Sequence, residues 1–143
     1  MRDERVGAGT FVRHHQKAED PNEGKMSVKN VANAEHYRWG VACEGWRLLN
    51  GPDLAVIQER IPPGRGEVRH YHSRSRQLFY VLQGRLEIEL NGETHLLSEG
   101  DSLEILPALP HCVRNPFKGD ADFLVVSAPS TIGDRVNLGS GAV

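Results

Sequence analysis

The sequence predicts an all-β domain, a sandwich or barrel of short strands preceded by a polar arm. From Trp46 onward, turn signals recur at spacings of roughly 8–12 residues, the rhythm of such folds. Between them lie short runs of β-branched, aromatic and leucine residues. No stretch carries the apolar period of a long amphipathic helix, and there is no internal repeat. The 143 residues suit one domain, and 38% hydrophobic with 25% charged residues marks a folding rather than a disordered composition.

Residues 1–30 are polar, broken by Gly7, Gly9, Pro21 and Gly24, and read as a loose arm. Met26 is a candidate second start, and His14-His15 reads as a solvated pair. Turns are placed at Asn50-Gly51, Pro62-Pro63-Gly64, Gln83-Gly84, Asn91-Gly92, Glu99-Gly100 and Lys118-Gly119. Strands are expected at 54–61, 66–72, 77–83, 85–90, 93–98, 102–106, 110–115 and 122–128. The cleanest runs from Arg85 to Leu90, where Leu86, Ile88 and Leu90 share one face. Asn91-Gly92 then tolerates the positive φ of a two-residue hairpin into Thr94–Leu97.

The formal net charge of -2 gives no general attraction to nucleic acid or anionic membrane, and no helix-turn-helix pattern is present. No apolar run approaches the ~20 residues of a spanning helix, and no signal-peptide core opens the chain. Cys43 and Cys112 are too few for a disulfide scaffold. A cytoplasmic chain with a small-molecule ligand, no nucleic acid and no membrane is the resulting expectation.

The chemistry concentrates at His70-Tyr71-His72. Residues i and i+2 of a strand point to one face, so the two imidazoles stand side by side, and neutral imidazole is a common ligand of divalent transition metals. Gln77 opens the next strand, and a turn through Ser73–Arg76 can return its carbonyl oxygen beside the pair. His111 follows Pro110 at a strand start, with Val113 on its face and Cys112 on the other.

The spacing around these histidines resembles that of the cupin superfamily. Its first motif, G-x5-H-x-H-x(3,4)-E-x6-G, is met by Gly64, His70, His72 and Gly84, with Gln77 where the family usually has glutamate. The second, G-x5-P-x-G-x2-H-x3-N, is met at Gly100, His111 and Asn115, while Leu106 and Ala108 replace its proline and glycine. The resemblance implies an antiparallel double-stranded β-helix, or jelly-roll barrel. It also implies one divalent transition metal ion (Zn, Ni, Mn, Fe or Cu) held by His70, His72, Gln77 and His111. A homodimer formed through N-terminal strands is a further implication, for which Tyr37–Trp46 is the candidate segment; packing on the chain's own barrel accounts for its two indoles equally well. The expected division is arm and dimer-forming segment at 1–45, barrel at 46–130 and tail at 131–143. The tail from Ser127 to Leu138 resembles the end of many small stand-alone bacterial cupins.

Fold alone does not fix activity. Three imidazoles and an amide leave the ion's +2 charge uncompensated, which favours Lewis-acid work over redox cycling. The leading expectation is therefore isomerase- or lyase-type chemistry on a small polar or anionic molecule. An Fe/Mn-dependent dioxygenase and a non-catalytic sensory barrel are the alternatives. The donor set is similar to that of the small uronate-ketonising cupins of pectin breakdown, yet no general acid or base can be named. Glu59 is a candidate whose default place is the solvated outer face, and Arg60 and Arg114 are candidate carboxylate anchors, Arg114 facing away from His111's side. Phe79, Val81 and Val113 are expected pocket walls. His36, His95 and the Arg69, Arg74, Arg76 cluster are expected at the surface, and Cys112 as a buried thiol.

Overall fold

The computed structural model describes residues 27–139. His14-His15 and Met26 lie outside that range. The described chain is all β: β1 (Glu35–Trp39), β2 (Cys43–Asn50), β3 (Ala55–Ile61), β4 (Arg65–Gly66), β5 (His70–Tyr71), β6 (Arg76–Gln83), β7 (Leu86–Leu90), β8 (Glu93–Leu97), β9 (Ser102–Ile105), β10 (His111–Asn115), β11 (Ala121–Ala128) and β12 (Val136–Asn137). One sheet has the order β1-β2-β3-β11-β6-β9. The other runs β12-β5-β10-β7-β8, with β4 also on β10, and every pairing is antiparallel. The two sheets make the expected jelly-roll barrel, and no helix of the described residues is long and apolar enough to cross a membrane.

Alternation decides which side of each strand faces in. Phe79 and Val81 of β6, Ile88 of β7, Val113 of β10 and Phe123 and Val125 of β11 form one buried cluster between the sheets. Burying each such side chain is worth roughly 1.5–3 kcal/mol. The hairpin at Asn91-Gly92 has φ of 51° and 92°, and Leu90 pairs with Glu93 across it. At Gly84, φ is 81°, and a Cβ would lie 2.3 Å from the Asp120 carbonyl oxygen, so the chain can turn there only without a side chain.

The chain joins the first sheet at Glu35, so β1 and β2 precede the segments where strands were expected. One feature departs from expectation: the segment 66–72 is not one strand. Gly66 pairs with Arg114 and His70 with His111, so residues 67–69 face only Cys112 and Val113. That extra residue is a bulge, and it resets which side chains point inward.

Candidate functional site

The bulge, β5 and the start of β10 bring three histidines into one buried group. The ring centroids of His70 and His111 are 4.4 Å apart, those of His70 and His72 4.8 Å, and those of His72 and His111 5.6 Å. All three are at most 5% exposed. Each Nδ1 lies beside a backbone carbonyl: Val68 at 2.9 Å for His70, Asp134 at 2.5 Å for His72 and Leu109 at 2.9 Å for His111. A carbonyl only accepts, so each Nδ1 carries the proton and each Nε2 keeps its lone pair. One ring nitrogen from each lies within 4.8 Å of the others.

Burial, chiefly, holds the imidazoles neutral: it lowers His70 to about 3 and His111 to about 4, and His72 moves the same way. The carbonyl bonds of His72 and His111 oppose that shift without reversing it. Neutral rings with free Nε2 atoms are the metal-binding state.

Gln77 is the second residue of β6, on the inner face of the opposite sheet, and is 6% exposed. Its Nε2 donates to Ser127 Oγ at 3.1 Å, which leaves Oε1 buried and without a partner. The His111 Nε2 is likewise buried and unpartnered. Two orphaned buried acceptors are costly unless something satisfies them, and a cation does so. The residues present thus fit a divalent ion.

His70, His72 and Gln77 line a cavity of about 250 Å³. Its other polar lining includes Tyr37, Arg47, Glu59, Glu67 and Arg135, and its apolar part includes Trp39, Ile57, Phe79, Val113 and Val125. Phe79 links site to core, its ring centroid 6.4 Å from His111 and 5.9 Å from Phe123.

Several expectations need correction. Glu59 faces the cavity rather than solvent. Ala55, Ile57 and Ile61 share its strand face, and that alternation was the available signal. Arg60 is bound bidentate to Asp122 at 2.8 and 3.0 Å, and Arg114 holds Glu87 at 2.7 Å; neither lines the cavity. The cationic side chains that do are Arg47 and Arg135.

Glu67 was missed because simple parity sends it away from His70; the bulge turns it in, where its Oε2 is buried, unpartnered and 3.8 Å from His70 Nδ1. Burial, reinforced by the charge of Glu59, pushes the Glu67 carboxyl up to about 8. Asp134 and Arg135 lie in the tail, which the sequence left without a role. Arg69 pairs with Glu89, Arg76 lies 3.4 Å from Glu104, His36 pairs with Glu44, and His95 lies 3.4 Å from Glu93; none of the four lines the cavity. Cys112 is buried, with its Sγ donating to the Glu67 carbonyl at 3.1 Å.

A cupin-domain family model matches residues 57–127. The polyketide synthase CurC of Streptomyces cyaneus is 36% identical over 86 residues, 60% of this chain, which spans about half (52%) of that protein's length. KdgF from Halomonas superposes with a TM-score of 0.67 at 24% identity, covering 73% of this chain and 94% of that one. A sugar phosphate isomerase of the cupin superfamily from Silicibacter pomeroyi gives a TM-score of 0.65 at 21% identity, covering 73% and 76%.

Proposed function

Since the chain belongs to the cupin superfamily, we propose that it is a metal-dependent enzyme acting on a small polar or anionic organic molecule by isomerase- or lyase-type Lewis-acid chemistry. His70, His72 and His111, with the Gln77 amide oxygen, would hold one divalent ion. When bound, that ion supplies electrophilic polarisation of a carbonyl or carboxylate oxygen. The observation that carries this reading is the paired vacancy of hydrogen bonding at His111 Nε2 and Gln77 Oε1, on a ring of neutral imidazoles. An amide in place of a carboxylate leaves the positive charge free for an anionic ligand, and Arg47 and Arg135 add to it from the cavity wall. Polyketide chemistry is carbonyl chemistry, so the similarity to CurC supports the same substrate class.

The fold's own groups do the rest. The Nδ1–carbonyl bonds fix ring orientation, Ser127 fixes the amide, and Phe79, Val113 and Val125 keep part of the wall apolar. We infer also that the protein works as a homodimer. Leu49, Leu78, Tyr80 and Leu82, all 37–43% exposed, stand on the outward side of the first sheet, and a second copy would cover them.

Metal content by mass spectrometry on untagged protein tests the proposal. Wild type should carry close to one metal per chain, and His111→Ala should lose most of it. Zinc or nickel agrees with Lewis-acid turnover; iron with substrate-dependent O2 consumption replaces it with a dioxygenase. No metal even after soaking in excess divalent ions sinks the enzyme reading and leaves a small-ligand-binding barrel.

A further inference from the structure

Strands β1 to β3 add a second polar pole to the cavity that the histidine pattern does not account for. Tyr37, Gly45 and Glu59 stand in one cross-strand row, continued by Phe123 and Val81 on the inner face of the first sheet. A Cβ at position 45 would come within 2.3 Å of Tyr37 Cζ, so the phenol ring occupies the space that the glycine leaves. By crossing β2 there, the Tyr37 hydroxyl reaches β3 and donates to Glu59 Oε2 at 3.1 Å. The Arg47 guanidinium lies over the same ring, 4.4 Å from its centroid. Tyr37 and Glu59 line the cavity that His70, His72 and Gln77 also line, approaching it from the sheet that faces β5 and β10.

We propose that Glu59, held by Tyr37 across Gly45, is the group that takes up and returns a proton in this pocket. The inference rests on the function proposed above and narrows its substrate to a small carbonyl compound with an acidic C–H next to the carbonyl. In the step, that C–H bond breaks and its proton passes to the Glu59 carboxylate. The C–H electron pair forms a carbon–carbon double bond as the carbonyl π pair moves onto oxygen. Where that carbon also carries a carbon–carbon double bond, return of the same proton to the far end of that bond, as the oxygen pair re-forms the carbonyl, moves the double bond into conjugation and completes an isomerisation with no other reactant. Tyr37 orients the carboxylate and keeps one oxygen engaged, leaving the other for substrate.

The charged and titratable groups around Glu59 are Tyr37 from β1, Cys43 and Arg47 from β2, Glu67 from the bulge and Arg135 from the segment before β12; β11 presents Phe123. Burial pushes the Glu59 carboxyl up to about 7, and the Tyr37 hydrogen bond, Arg135 and Arg47 work against it. A carboxyl so placed exchanges its proton near neutral pH, as a general base requires.

The test is a pH titration of the full chain carrying ¹³Cδ-labelled glutamate, followed by NMR, before and after zinc is added to chelator-treated protein. Glu59→Gln identifies the signal and Tyr37→Phe probes the holding bond. The Glu59 midpoint should lie near 7 without zinc, fall on zinc addition, and rise in Tyr37→Phe. A midpoint in the ordinary range near ~4.3, insensitive to zinc, overturns the proposal. With a substrate that turns over, Glu59→Gln should lose roughly 10²- to 10⁴-fold in kcat with metal content and KM little changed. A loss below tenfold overturns it as well. If wild type takes up no zinc while Glu59 still titrates near 7, the Lewis-acid reading fails and the proton role stands, so the two failures are distinguishable.

Discussion

Asp134 shows how much of the site hangs on one residue of the tail. Its carboxylate accepts the backbone N–H groups of Ser73, Arg74 and Ser75 at 2.7, 3.0 and 2.9 Å, closing the loop that joins His72 to Gln77. Its own carbonyl accepts from His72 Nδ1. Burial raises its carboxyl, but the three N–H bonds outweigh this and hold it below the usual carboxylate range. Asp134→Ala should cost about 3 kcal/mol in denaturant unfolding, from charge-assisted bonds lost to a partly buried turn. Because the folded pKa is depressed, this contribution is present above the unfolded value near ~3.9 and disappears as pH falls through the folded one. The gap between wild type and variant should hold from pH 8 to 5 and close in stronger acid; a gap unchanged by acid would exclude the carboxylate as its source. Glu59 has the opposite sign. Its folded pKa lies above the ordinary glutamate value near ~4.3, so the folded state loses stability as pH rises from there through about 7. In metal-stripped protein, Glu59→Gln should raise the urea midpoint at pH 8 and leave it nearly unchanged at pH 5. No gain at pH 8 would mean that the carboxylate is not desolvated.

Among the elements, the turn before β10 is where the second motif departs from its usual residues. Ala108 stands at the motif's glycine position and keeps a left-handed φ of 71°, while its N–H donates to the His72 carbonyl at 2.7 Å. The backbone therefore retains a conformation that alanine adopts only under strain. Ala108→Gly should stabilise the protein by roughly 1 kcal/mol, after the opposing gain in unfolded-chain entropy, with metal content unchanged. A fall in denaturant midpoint would show that the alanine methyl's packing outweighs the strain. Strands β3 and β6 to β11 were legible because apolar residues alternate within them. β1 and β2 were not, because their inner faces carry Tyr37, Gly45 and Arg47, which serve the cavity rather than the core. Trp39 packs inward at the cavity wall, whereas Trp46 lies outward between Arg60 and His36.

At the scale of the whole molecule, the fold places its closed apolar core between the sheets and its polar cavity beside that core, with Phe79 touching both. The outward side of the first sheet bears the exposed apolar row. Light scattering should find a dimer for wild type and a monomer for Leu78→Lys combined with Leu82→Lys, the variant keeping its metal because neither residue lines the cavity. A monomeric wild type would remove the dimer from the proposed function.

The all-β class, seven of the strand segments in outline, the Asn91-Gly92 hairpin and the histidine set could be read from sequence, because side-chain alternation and turn chemistry act between near neighbours. The second polar pole could not. Glu67 depends on a bulge visible only when β4 and β5 are both laid against β10. Tyr37 reaches Glu59 across 22 residues through a gap at Gly45, and Asp134 supports His72 from 62 residues away. Those contacts are set by sheet register and closure of the barrel, long-range quantities that local periodicity does not encode.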